Sequence, residues 1–309
     1  MNKQNCRAVY GKTLVELGMK DERIVALDAD LCKSTMTCLF EEAFPDRHFE
    51  MGIGEQNMVS VAAGLALSGK VPFVNSFAVF SAGRPYDQIR VSVCIGEVNV
   101  KIVGSSAGLS DFGDGATHQS IDDIAIMRVL PNMVVLSPAD GIETAKMVKA
   151  MVDHDGPMYI RILRNDVPDV TDPKTEFKIG VPTVIRDGKD ITVFAHGYMV
   201  YKALLAADIL EKEGVSLKVV NVSTLKPIDE DVVKELCAGA KGIVTVEENS
   251  IIGGLANAIA MIMRGSAIPM EAVAVKDVFG QSALDWEELL VHYGLTEKEI
   301  VAAVKKVLK

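Results

Sequence analysis

The chain has 309 residues, 49% of them hydrophobic and 24% charged, enough for a sizeable core, and that composition excludes disorder as the main state. Its 42 acidic against 32 basic residues give a formal net charge of −10, leaving no excess positive charge to neutralise nucleic-acid phosphates or an anionic membrane. The five cysteines contain no C-x-x-C pair, so neither a disulfide framework nor a zinc site follows from their spacing.

The first residues, MNKQNCRAVYGKTLVEL, hold no continuous apolar segment of the secretory kind, and the most apolar late stretch, 251–263, is too short to span a bilayer. A soluble cytoplasmic protein is expected. Along the chain, apolar runs at 23–27, 71–77, 98–104, 133–137 and 158–163 read as strands. Helical segments at 5–19, 55–69, 81–94, 120–129 and 140–153 alternate with them. After Arg164 the segment 165–190, rich in proline, glycine and charge, reads as a linker. Alternation then resumes with strands at 191–196, 217–222, 242–248 and 271–275 and helices at 198–213, 229–238, 254–264, 285–292 and 296–308. The expected fold is therefore α/β with two domains, each a mostly parallel sheet covered by helices.

Several local patterns carry chemistry. Gly104 to Gly108 fits G-x-S-x-G after a strand, but a hydrolase elbow needs a helix directly behind its serine, and a Gly/Asp loop follows Ser106 instead. Glu55 opens the helix at 55–69, where the helix dipole already favours a carboxylate. That helix is rich in small residues (Ala62, Ala63, Gly64, Ala66, Ser68) that permit close approach of another backbone. Phe77 ends a strand and Phe80 follows it, so both can wall the crevice in which open α/β sheets bind ligands. A glycine-flanked loop at 113–119 delivers Asp114 and His118 to the same sheet edge.

In order and spacing, these segments resemble the C-terminal subunit of split transketolases, within the thiamine-diphosphate transketolase family. The resemblance runs nearly end to end: DADL-x-x-S (28–34), GIGEQNM (52–58), NSFAVF (75–80), GRPYDQIR (83–90), GDGATHQSIDDIAIMR (113–128), PNMVVLSPAD (131–140) and ILRND (162–166). It continues through VNVSTLKPID (220–229), VEENSIIGGL (246–255) and KDVFGQSA (276–283). It implies a pyrimidine-binding domain at 1–170, a linker at 171–188 and a transketolase C-terminal domain at 189–309. Gly113-Asp114-Gly115 resembles the start of the GDG…NN diphosphate motif, but residues 140–145 read DGIETA, so the asparagine pair is missing. The implied partner is an N-terminal subunit carrying that motif and holding Mg²⁺, with each chain present twice in a heterotetramer. No metal site is expected on this chain.

By the same resemblance Glu55 is the catalytic carboxylate on the cofactor's aminopyrimidine, Phe80 and Phe77 pack that ring, and Asp30 approaches the cofactor. His118 and Asp114 hold the donor sugar, His118 also relaying protons, while Arg164 and Ser34 grip an acceptor phosphate. The implied reaction transfers a two-carbon ketol unit from a ketose to an aldose, as in the pentose phosphate pathway. Ser106, also expected to bind substrate, stands where many transketolases carry a substrate-binding histidine, which leaves a sulfo-sugar or a branched sugar phosphate as an alternative substrate. Gly83 replaces an aromatic, and Glu247-Glu248-Asn249 replaces the frequent Glu-Glu-His. The rivals are a 1-deoxyxylulose-5-phosphate synthase, a 2-oxo acid dehydrogenase beta subunit and, from another class, a non-catalytic regulatory subunit. The second domain, with no catalytic constellation of its own, is expected to serve assembly.

Overall fold

The computed structural model describes residues 2–309. A seven-stranded sheet runs in the order Thr224–Lys226, Val134–Leu136, Met158–Arg161, Lys101–Ser105, Val71–Phe77, Ile24–Asp28, His48–Glu50. Its strands are parallel except the first, which pairs antiparallel with Val134–Leu136. Central strands are buried throughout, as in Val71–Phe77, whose seven residues are all buried. That explains their unbroken apolar sequence: helices cover both faces, so no solvent face asks for alternation. Fully burying a side chain such as Phe73 contributes about 1.5–3 kcal/mol.

The second sheet has five strands in the order Met270–Val275, Gly242–Ser250, Ile191–Ala195, Leu217–Asn221, Thr183–Arg186, with only the last antiparallel. The helices begin where capping chemistry allows. Asn5 accepts from the Ala8 amide at the start of Cys6–Gly18, and Asp140 accepts from Glu143 at the start of Gly141–Asp153.

Three sequence expectations need revision. The helix expected at 81–94 is broken into Ala78–Gly83, Tyr86–Gln88 and a wider π-turn at Ile89–Cys94, because Pro85 lacks the amide that a continuous helix needs there. The stretch read as linker contributes two strands. Asp166–Pro168 pairs with Lys3–Asn5, and Thr183–Arg186 closes the edge of the second sheet. Lastly, Thr224–Lys226 leaves the second domain to extend the first domain's sheet.

The strand ends that carry most of the expected site residues lie on one edge. The carboxyl ends of Ile24–Asp28, Val71–Phe77, Lys101–Ser105 and Met158–Arg161 lead directly into the segments holding Asp30, Phe80, Ser106 and Arg164. This is the edge at which parallel sheets present their ligand crevice.

Candidate active site

Glu55 is the first residue of the helix Glu55–Leu67, and its side chain is only 5% exposed. A buried carboxylate needs a counter-charge or donors. Arg84 Nη1 supplies one, donating to Glu55 Oε1 at 2.7 Å from a side chain that is 46% exposed. The same guanidinium lies 4.0 Å from the centre of the Phe80 ring, a cation–π contact. Phe80 stacks with Phe77 at 6.1 Å, and the His118 ring meets Phe80 edge-on at 5.2 Å and Phe77 at 6.2 Å. Glu55, Phe77, Phe80 and His118 therefore form one cleft of carboxylate, aromatic wall and imidazole. Thr117 Oγ1 lies 2.9 Å from His118 Nδ1, which leaves Nε2 for a ligand.

A second cluster adjoins it. Arg164 Nη1 donates to Asp111 Oδ2 at 3.0 Å. Burial pushes the Asp111 carboxyl up, Arg164 pulls the other way, and neighbouring Asp114 adds to the rise. The Arg7 guanidinium donates to the Ser34 carbonyl at 2.8 Å. Burial and the like charge of Arg164 lower its proton affinity. Two guanidinium groups near each other, with Arg7 beside Ser34, suit a tetrahedral oxyanion.

The loop holding Asp30 and Ser34 is braced from below. Asp28, fully buried, accepts from Leu31 N, Thr35 Oγ1 and Thr37 Oγ1 at 2.6–2.8 Å. Desolvation raises its pKa to about 6 against the pull of those donors. Asp30 itself has φ +60° and is exposed; its amide donates to Glu50 Oε1, which also accepts from Gly52 just before Glu55. One carboxylate thus ties the Asp30 loop to the Glu55 loop.

Ser106 is the outlier among the expected site residues. It is fully buried at φ +53°, and its hydroxyl meets no partner. A hydrolase nucleophile needs an exposed hydroxyl beside a base, so this burial also removes the elbow reading. Sequence reasoning missed Arg84, Arg7, Asp111 and Glu50. Arg7 left one sign: a positive charge in the first turn of a helix opposes the dipole and calls for another partner. Among the described residues, no group of three or more His, Cys, Asp or Glu is arranged to hold a metal ion. No helix there is long and apolar enough to cross a membrane.

The comparisons with known proteins agree with this architecture. The family model for the transketolase pyrimidine binding domain matches residues 2–169, and that for the transketolase C-terminal domain matches residues 180–300. A putative transketolase C-terminal section from Methanocaldococcus jannaschii is 42% identical, over 98% of this chain and 96% of that protein. The 6-deoxy-6-sulfo-D-fructose transketolase subunit SqwH of Clostridium sp. is 41% identical, over 97% of this chain and 94% of its own length. A solved structure of a split gene transketolase, an inactive beta4 tetramer, superposes with a TM-score of 0.90 at 47% identity, covering 99% of both chains. The chain belongs to the transketolase family and spans its pyrimidine-binding and C-terminal domains.

Proposed function

We propose that this chain is the C-terminal subunit of a split transketolase. With an N-terminal, diphosphate-binding subunit it transfers a two-carbon ketol unit from a ketose phosphate to an aldose, using thiamine diphosphate and Mg²⁺. The observation that carries this reading is the buried Glu55 carboxylate beside the Phe80–Phe77–His118 cleft. An aminopyrimidine asks for such a set, with an acceptor for its ring nitrogen and flat apolar faces for its π system. The residues fit the cofactor. Bound, it supplies the carbon nucleophile and the electron sink.

The chain's own groups do the rest. Glu55 holds the proton shared with the pyrimidine nitrogen and fixes that ring's orientation. Phe77 and Phe80 pack the ring and exclude water. His118, through Nε2, and Asp114 hydrogen-bond the donor's oxygens, and His118 moves a proton to or from them. Arg164, Arg7 and Ser34 hold the anionic end of the sugar, and Asp30 approaches the cofactor from the first loop. Mg²⁺ and the diphosphate fall to the partner's GDG…NN segment. Self-association of the complex is supported by the exposed apolar side chains Val61 and Leu67 on the small-residue helix Glu55–Leu67, with Ile53, Val91 and Ile95 exposed on neighbouring segments.

A second substrate reading has its own support. Ser106 is buried, and the groups proposed to hold the anion, Arg164, Arg7 and Ser34, are guanidinium and hydroxyl, equally suited to a phosphate or a sulfonate. The Clostridium relative named for a sulfo-sugar fits the same idea. Ketol transfer with sulfonated and phosphorylated ketoses in parallel separates the two.

The assigned chemistry is tested by Glu55→Gln in the two-chain complex. Turnover should fall about 10²- to 10⁴-fold with assembly intact. Undiminished turnover would refute the role of Glu55, and decarboxylation of a 2-oxo acid would favour the dehydrogenase alternative.

A further inference from the structure

Between the strand Lys101–Ser105 and the helix Asp123–Arg128 the chain contains one short 3₁₀ turn, Gly115–Thr117, and one isolated antiparallel bridge, Gly108 with Ser120. This irregular segment nevertheless carries Asp111, Asp114 and His118. Its own order rests mainly on that bridge, Gly108 N to Ser120 O at 2.9 Å and Ser120 N to Gly108 O at 3.0 Å, so the residues between its two ends depend on what they touch. The first domain holds it through Ala107 N to Ile162 O at 3.1 Å, Arg161 Nη2 to Ser120 O at 3.2 Å and the Asp111–Arg164 pair.

The second domain holds it at four further points. Leu109 N donates to Glu248 Oε1 at 2.7 Å, and Ala283 N donates to Phe112 O at 2.9 Å. Gln119 Nε2 donates to Gln281 O at 2.9 Å, and Ser250 N donates to Ile121 O at 2.7 Å. Glu248 is buried, and its Oε1 also accepts from Trp286 Nε1 at 2.9 Å, which fixes the carboxylate from behind. Close contact replaces slack throughout. A Cβ on Gly108 would stand 2.7 Å from Glu248 Oε1, one on Gly115 2.4 Å from Ser282 Oγ, and one on Gly280 1.7 Å from Gln119 Oε1.

We propose that the second domain sets the geometry of the substrate loop, with Glu248 as the positioning residue that anchors it through the Leu109 amide and the Gly280–Gln119 contact as its second anchor. This rests on the reading of His118 and Asp114 as donor-binding groups. Catalytic geometry is demanding: a shift of about 1 Å costs on the order of 100-fold in rate. Releasing the loop should therefore act chiefly on substrate, since Glu55, Phe77 and Phe80 lie outside the loop and meet it only through the His118 ring.

The test uses Glu248→Ala, Glu248→Gln and Gly280→Ala. The amide of Glu248→Gln keeps a carbonyl oxygen for Leu109 and Trp286, whereas alanine removes it. Gly280→Ala pushes the Gln119 side chain off Gln281 without touching Glu248. In the full free chain, hydrogen exchange of amides 109–121 should quicken about 10-fold or more in Glu248→Ala and Gly280→Ala and stay near wild type in Glu248→Gln. In the two-chain complex, with the ketose phosphate turned over by wild type, kcat/KM should fall about 10- to 100-fold in the first two and recover within a few-fold in the third. Thiamine diphosphate affinity should be unchanged in all three.

Unaltered exchange in both disrupting variants would overturn the proposal. So would a parallel loss of cofactor affinity, which marks general damage. If Glu248→Ala does not fold, Gly280→Ala decides alone. Faster exchange with unchanged kinetics, while His118→Ala also leaves turnover intact, would fault the donor-site reading rather than the clamp.

Discussion

The two domains share one plan and use its most valuable edge differently. In the first, the carboxyl ends of the parallel strands open into loops bearing Asp30, Phe80, His118 and Arg164, which remain partly accessible. In the second, the corresponding ends carry polar groups of comparable chemical promise, namely His196, Asn221, Glu247, Glu248 and Asn249, all buried. They are spent on structure. His196 Nδ1 lies 2.9 Å from Ser137 Oγ of the first domain, Asn221 Nδ2 donates to Glu143 at 2.9 Å, and Glu248 takes the Leu109 amide. Glu247 caps the helix Leu255–Ile262, accepting from Leu255 N and Ala256 N at 2.7 and 2.9 Å. The crevice that an open sheet offers a ligand is here occupied by a neighbouring domain.

That contrast can be broken experimentally. The largest effect is expected from Glu247→Ala, which strips two helix-terminal amides of a charged acceptor and should cost about 2–4 kcal/mol of stability. Turnover of the folded complex should stay within a few-fold of wild type, as denaturant melts beside kinetics would report. A stable variant with collapsed turnover would instead place chemistry at the second edge.

A somewhat smaller effect concerns pH. Burial raises the Glu143 carboxyl from 4.5 to about 7, despite the bonds from Ala139 and Asn221. Between those values the folded chain binds a proton that the unfolded chain has released. This group therefore lowers stability as pH climbs from about 4.5 to about 7, by up to ~3 kcal/mol, and adds no slope beyond. Urea melts of Glu143→Gln across that window should show a flatter profile than wild type; parallel profiles would mean that Glu143 is ionised in the folded interface.

The smallest effect sharpens the first edge. Arg164→Lys keeps the charge but loses the planar fork, and should raise KM for the anionic sugar about 10-fold with kcat little changed. An equal drop in kcat would move Arg164 from gripping substrate to shaping the loop through Asp111.

How much of this was legible beforehand follows from the range of each interaction. The run VPFVNSF shows its boundaries because every residue in it is buried and Gly69 and Lys70 precede it. Glu55, Phe77, Phe80, Asp114 and His118 sit in motifs whose spacing survives in the chain order. Arg84 reaches Glu55 across 29 residues, Glu50 reaches Asp30 across 20, and Arg164 reaches Asp111 across 53. No local pattern encodes such meetings. The same holds for Thr183–Arg186 and Thr224–Lys226, short segments that become strands only because a sheet edge lies beside them. The second domain, expected from sequence to serve assembly, also touches the loop of the first, through the Glu248 and Gln119 side chains and two backbone pairs whose partners lie more than 100 residues apart.

The central claim is that a transketolase site is completed by a second chain. Its most direct test is ketol transfer by this chain mixed with an N-terminal, GDG…NN-bearing partner, in the presence of thiamine diphosphate and Mg²⁺, against each chain alone. The account predicts transfer in the mixture and none in the separate chains. A verified complex that moves no ketol unit from phosphorylated or sulfonated ketoses, or full activity of this chain by itself, would contradict it.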